Sequence, residues 1–245
     1  MKKYLFALTA VAAMTGSASA ADLGARPYTK APVAAAPVAN WTGCYVAGGG
    51  GGAYTRNDHN EYNTTTGVSL LGNSTAGASG WFATVGAGCD YQVNNFVVGL
   101  FGDYDVMDVS GDTTAVGFLT GTRKQDSQWA VGGRVGYLVL PQLLTYFSGG
   151  YTQAHWKSTD YNAFLGAPFS TSGFTRGGWF IGSGDEYALS FIPGMFWKTE
   201  YRYSEFDRAD VDIVSTIPTG LAQTNKFREH SVRSELVYRF NWGGR

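Results

Sequence analysis

An all-β fold is what this sequence predicts: an eight-stranded antiparallel transmembrane β-barrel of the outer-membrane type. Three observations carry that expectation. First, charge is scarce while glycine and aromatic residues are plentiful: 15% charged residues, with 34 Gly, 15 Tyr and 7 Trp in 245 residues. Soluble domains usually carry roughly 25% charged residues. Second, beyond residue 40 hydropathy alternates every two residues, and no run of 18 apolar residues offers a helical span. Third, long polar connections at 55–79, 107–126, 157–176 and 207–229 alternate with short ones at 93–95, 140–142 and 189–196. Four long loops at one end and three short turns at the other suit a membrane barrel. A soluble sandwich has no reason for so strict an alternation.

The last strand shows what the alternation means. Ser231–Phe240 places Val232, Ser234, Leu236, Tyr238 and Phe240 on one face and Arg233, Glu235, Val237 and Arg239 on the other. A soluble sandwich or lipocalin-like barrel would bury the apolar row and wet the charges. A membrane barrel gives the apolar row to lipid and encloses the charges. Aromatics at the ends of the apolar rows favour lipid outside.

The elements follow in order. Residues 1–20 read as a signal peptide: Lys2 and Lys3, an apolar stretch from Tyr4 to Met14, then Ala18-Ser19-Ala20 as a small-residue cleavage pattern. Residues 21–40 read as an Ala/Pro-rich flexible tether punctuated by Pro27, Pro32 and Pro37. Residues 41–245 are the expected barrel. Strand one lies near 41–54 and strand two near 81–92, with Trp81, Ala83, Val85, Ala87, Cys89 and Tyr91 on its apolar face. Strand three sets Phe96, Val98, Leu100, Tyr104 and Val106 against Phe101, Asp103 and Asp105. Strand four sets Trp129, Val131, Val135, Tyr137 and Val139 against Gln128 and Arg134. Strand five, near 143–156, mixes both faces and its facing stays open. Strand six, near 178–188, turns Trp179, Ile181 and Tyr187 outward and Glu186 inward. Strand seven, near 197–206, turns Trp197, Thr199, Tyr201 and Tyr203 outward and Lys198, Glu200 and Arg202 inward. The interface aromatics are then Trp81, Tyr91, Trp129, Tyr137, Trp179, Tyr187, Trp197, Tyr238 and Phe240.

On this facing a lumen charge network forms from Asp103, Arg134, Glu186, Lys198, Glu200, Arg202, Arg233, Glu235 and Arg239. An eight-stranded barrel is only wide enough for side chains to fill it, and charges there must pair. The expected pairs are Arg202 with Glu235, Asp103 with Arg134, and Lys198 and Arg239 around Glu186. The reading is a structural salt-bridged plug rather than an ion path. Parity places Asp185 on the lipid face near the short-turn end, unless a bulge turns it inward. Cys44 and Cys89 fall at similar height, both outward; they form either a cross-strand disulfide or two small apolar residues facing lipid.

Enzyme chemistry finds little support. His59, His155 and His230 are isolated and no spacing resembles a zinc site. No nucleophile elbow is present, and the Gly48–Gly52 run lacks the Lys-Ser or Lys-Thr of a phosphate loop. Asp58-His59 and Glu229-His230 are the local candidates for a rim site. No catalytic residue, metal or cofactor is expected. Net charge is −1, or −3 once Lys2 and Lys3 leave with the leader (16 basic against 19 acidic), so no nucleic-acid partner is expected.

Several segments carry a resemblance. These are Asn40-Trp41-Thr42-Gly43, Phe96-Val97-Val98-Gly99 with Gly102-Asp103, Gly178-Trp179 with Glu186-Tyr187, Glu200-Tyr201, and the closing Tyr238-Arg239-Phe240-Asn241-Trp242-Gly243-Gly244. Together they resemble the small bacterial outer-membrane immunogenic or porin-family proteins, which are related to opacity-type adhesins. The resemblance implies an outer-membrane location, surface-exposed antigenic loops, and outer-membrane lipid and the barrel-assembly machinery as partners. Extracellular ligands or host surfaces would meet the loops. It transfers no catalytic residue. The expected role is structural, in envelope integrity and surface interaction. A small porin or uptake channel is the first alternative and a rim-site enzyme the second.

Overall fold

The computed structural model describes residues 39–115, 119–164, 167–215 and 220–240. The expected leader at 1–20, the tether up to residue 38, and residues 241–245 lie outside the described residues.

Eight long strands form a closed ring: β1 (Gly43–Asn63), β2 (Ser69–Val93), β3 (Phe96–Ala115), β4 (Leu119–Leu140), β5 (Leu143–Trp156), β8 (Phe174–Ala188), β9 (Met195–Phe206) and β11 (Leu221–Phe240). Each pairs antiparallel with its neighbours in that order, and β1 closes on β11 from Cys44↔Phe240 to Asn63↔Leu221. Closure pairs every strand on both sides, so no edge is left to lipid. Three short strands, β6 (Thr159–Phe164), β7 (Ala167–Thr171) and β10 (Ala209–Ser215), complete the sheet. They sit where β5, β8 and β9 have ended. There β4 pairs with β6, β6 with β7, β7 with β10 and β10 with β11. The wall thus continues past the apolar zone as a second turn of eight strands.

This corrects the expectation of four long loops. Residues 55–63, 69–79, 107–115 and 221–229 are strand, as are most of 119–126 and 159–171. In these stretches the outward face is polar and the inward face mixes polar side chains with scattered apolar ones such as Val109 and Phe227, so hydropathy alternation fades although the hydrogen-bonded ladder does not. The short turns stand as read. Asn94-Asn95 turns with φ of 55° at Asn94, a left-handed conformation asparagine tolerates. Pro141-Gln142 and the segment Leu189–Gly194 make the other two.

Outward rows run up each ring strand. Val85, Val98, Leu100, Val106, Val131, Val135, Phe147, Ile181, Val232 and Leu236 are exposed. Rings frame them at two heights: Tyr91, Phe96, Tyr137, Tyr187, Trp197, Tyr238 and Phe240 toward the short turns, and Tyr54, Trp81, Tyr151, Trp179 and Tyr201 toward the far end. Trp129 is half-buried against Tyr151, with ring centroids 5.5 Å apart. An apolar belt between two aromatic girdles is what lipid requires of a barrel. The facing of β5, left open by sequence, is set by its neighbours: Leu144, Tyr146, Ser148, Thr152, Ala154 and Trp156 point inward.

Candidate functional site

The interior is filled in layers, which can be followed along the inward side of β11. Trp41, just before β1, folds back into the short-turn mouth and is fully buried. Its indole N–H donates to the Pro141 carbonyl at 3.4 Å, and its ring meets Phe196 at 4.8 Å. Arg239 lies directly above. It donates to Glu186 at 2.6 Å, to Asp90 at 2.6 Å and to the Trp41 carbonyl at 3.1 Å. Arg134 completes this layer, bonding Glu186 at 2.9 Å and the Asp90 carboxylate through two nitrogens. Tyr45 is shared by both guanidinium groups, 4.9 Å from Arg134 and 5.0 Å from Arg239. Two bases and two acids thus neutralise one another between aromatic faces.

The next layer holds Lys198, Arg202 and Arg233 with Asp103, Asp105, Glu200 and Glu235. Arg202 grips Asp103 across the lumen with two nitrogens, at 3.0 and 2.9 Å, and Glu200 at 2.8 Å. Arg233 bonds Asp105 at 3.0 Å, and Lys198 pairs with Glu235 at 2.8 Å. Glycines make room for this. A Cβ on Gly51 would lie 2.7 Å from Phe82 Cζ, and one on Gly132 would lie 2.8 Å from Phe180 Cζ. Those two rings are the surfaces on which Arg233 and Arg202 rest, at 5.3 and 4.4 Å.

Above the charges, Glu229 accepts from Gln125 at 2.8 Å. Then Trp156 packs on Phe227 at 4.4 Å and on Phe206 at 5.2 Å, all three buried. Arg123 follows, held by Asn225 at 3.0 Å, Gln223 at 3.1 Å and Tyr161 at 3.3 Å. Ala115, Leu119, Tyr161, Phe169 and Ile213 form an apolar cluster at the far end.

All nine residues expected in the lumen face inward. Their partners differ from those expected. Arg202 does not meet Glu235, and Asp103 does not meet Arg134. The register explains both. Arg202 stands opposite Ser231, four residues from Glu235, and Asp103 stands opposite Ala130, four residues from Arg134. Four residues are about 13 Å along a strand. Arg239 does reach Glu186, and Lys198 stands in register with both Glu186 and Glu235 but forms its ion pair with Glu235. Asp90, Asp105 and Glu229 were missed as members. The signal was available: Asp90 lies between outward Cys89 and Tyr91, so parity alone turns it inward.

Cys44 and Cys89 are register partners on the outer face and are joined by a disulfide, with sulfurs 2.07 Å apart. Asp185 points outward without a bulge. The rim pairs separate for a simple reason. Adjacent residues on a strand take opposite faces, so Asp58 is outward while His59 is buried inside, and Glu229 is inside while His230 is outward. His155 meets Asp126 at 2.7 Å, but Ser127 also bonds that carboxylate, at 3.4 Å. Asp126 stands between hydroxyl and imidazole, whereas a nucleophile triad needs the imidazole in the middle.

His59 lies in the far-end wall, and its imidazole is held below the usual range by burial and then by the charge of Arg123. The folded state therefore favours neutral His59, while the unfolded chain protonates near the ordinary value of about 6.5. Its contribution is present above that pH and is lost as pH falls through it toward the lower folded value. Hydrogen exchange should show reduced protection at 55–63 and 221–228 at pH 5 relative to pH 7.5. His59→Gln should abolish that difference; an equal difference in the variant would assign it to another group.

Residues 6–240 match the family model described as "Outer membrane protein beta-barrel domain". The chain is 28% identical over 243 residues to the 31 kDa outer-membrane immunogenic protein of Brucella melitensis biotype 1, covering 95% of this chain and 98% of that protein. Among solved structures it is similar to the outer membrane protein OprG from Pseudomonas aeruginosa. The TM-score is 0.51 at 11% identity, with 82% of this chain and 99% of that one covered. It is also similar to the outer membrane protease OmpT from Escherichia coli, with a TM-score of 0.51 at 9% identity, covering 81% and 97%. At those identities the likeness is one of fold.

Proposed function

This chain belongs to the outer membrane protein β-barrel domain family, and from that premise we propose that it is a sealed structural barrel, without catalysis, that supports the envelope and meets the outside through its extracellular strands. Leader removal at residue 20 and insertion by the assembly machinery belong to the same reading. The observation that carries it is the stacked interior. A cross-lumen ion-pair layer (Arg202, Asp103, Glu200) and an aromatic layer (Trp156, Phe206, Phe227) occupy one narrow bore at two heights. An ion would have to displace both, and an eight-stranded barrel has no spare cross-section for a bypass. The opposed facing of Asp58 and His59, and of Glu229 and His230, supports a non-catalytic rim.

Planar-bilayer recording tests the proposal. The full chain is expected to give no steady openings. Nanosiemens-scale openings would replace the sealed reading with a pore. The exposed far-end surface is then what remains to act, through extracellular ligands or host surfaces, in keeping with relatives named immunogenic.

A further inference from the structure

Between the two aromatic girdles, the outward rows of the described residues contain a single charged side chain, Asp185. Its surroundings are ordered. Thr145 on β5 and Thr199 on β9 are its register partners, and the Thr145 hydroxyl donates to its carboxylate at 2.6 Å. One step toward the short turns, Tyr187 and Trp197 are register partners of each other, both exposed. Their polar tips are already engaged. The Tyr187 hydroxyl donates to Gln142 at 3.3 Å, and the Trp197 indole N–H donates to Ser234 at 2.7 Å. What they offer outward is ring surface.

We propose that Asp185, Thr145, Tyr187 and Trp197 bind the primary ammonium of an ethanolamine-headgroup phospholipid in the periplasmic leaflet. Charge complementarity selects this occupant. A carboxylate at the edge of hydrocarbon attracts a cation, and between the girdles no described lysine or arginine points outward to compete for it. Residues two apart on a strand are about 7 Å apart. Tyr187 is that neighbour on β8 and Trp197 is the diagonal one on β9, so an ammonium bonded to the carboxylate on its short-turn side approaches ring faces that attract cations within roughly 6 Å. Depth agrees, since the site adjoins the short-turn girdle where headgroups lie. A second copy of the chain is a poorer occupant, because a two-fold contact on this face would bring two carboxylates together. The inference rests on the membrane placement of the barrel and is independent of whether its lumen is sealed.

Native mass spectrometry of the folded full chain tests it. The chain is released from bilayers holding equal amounts of ethanolamine- and glycerol-headgroup phospholipids with the same acyl chains. Wild type should retain one ethanolamine lipid with a preference of about tenfold, or 1.4 kcal/mol. Asp185→Asn should bring the two lipids to parity. Trp197→Leu should weaken the preference several-fold. Asp112→Asn, on the extracellular wall, should leave it unchanged. No preference in wild type, or an undiminished one in Asp185→Asn, overturns the site. If Asp185→Asn did not fold, a full preference in Trp197→Leu would overturn it equally. Conductance is unaffected by either result, so failure here leaves the sealed-barrel proposal standing.

Discussion

Replacing Arg239 by alanine is expected to destabilise the folded barrel by about 3–5 kcal/mol, the usual cost of removing one partner from a buried ion cluster. Arg239 is fully enclosed and binds Glu186, Asp90 and the Trp41 carbonyl while lying within about 5 Å of three aromatic rings. Its loss leaves two carboxylates to Arg134 alone, in a space too narrow for full hydration. Arg239→Lys should cost less, since it keeps the charge but loses the fork that reaches two acids at once. Denaturant unfolding in micelles, followed by tryptophan fluorescence, gives the magnitude. The temperature at which the folded gel band converts gives an independent ranking. A change below about 1 kcal/mol would mean that water reaches these carboxylates, and the filled interior would have to be abandoned.

The second large effect comes from the opposite side of the wall. Leu100→Arg is expected to destabilise the barrel by about 2–4 kcal/mol, the cost of arginine near the bilayer midplane. Leu100 is 74% exposed. In a water-soluble barrel the same change would stay within about 0.5 kcal/mol. Val68→Arg is the matched control, because Val68 is 60% exposed but lies in the far-end turn beyond the belt. Equal, small effects at both positions would show that water, not hydrocarbon, covers residue 100.

Much of the candidate site is legible in the sequence. Once Val232, Leu236 and Tyr238 are assigned to lipid, Arg233, Glu235 and Arg239 have only the lumen left. The same parity exposes why Asp58-His59 fails as a rim pair. Asp90 and Asp105 obey the rule as well: parity already sets Asp105 beside Asp103 on the inward side of β3, and Asp90 is the single acid on the inward side of a glycine-rich β2 segment. Strand five resisted because Thr145 and Gly149 lie on its outward face while Leu144 and Tyr146 lie on its inward one, which inverts the usual contrast.

On every ring strand except β5, the direction in which each belt residue points was determined by the sequence alone, because strand alternation is a property of adjacent residues and needs no partner. Which charge meets which was decided only by the tertiary structure. Partners are chosen by the stagger between strands and by reach across the bore, as when Arg202 on β9 takes Asp103 on β3. Beyond the membrane zone the strands themselves were invisible to hydropathy. With only scattered apolar residues on the inward face, the contrast is too weak to mark a strand, and the neighbouring backbone shows that the wall continues.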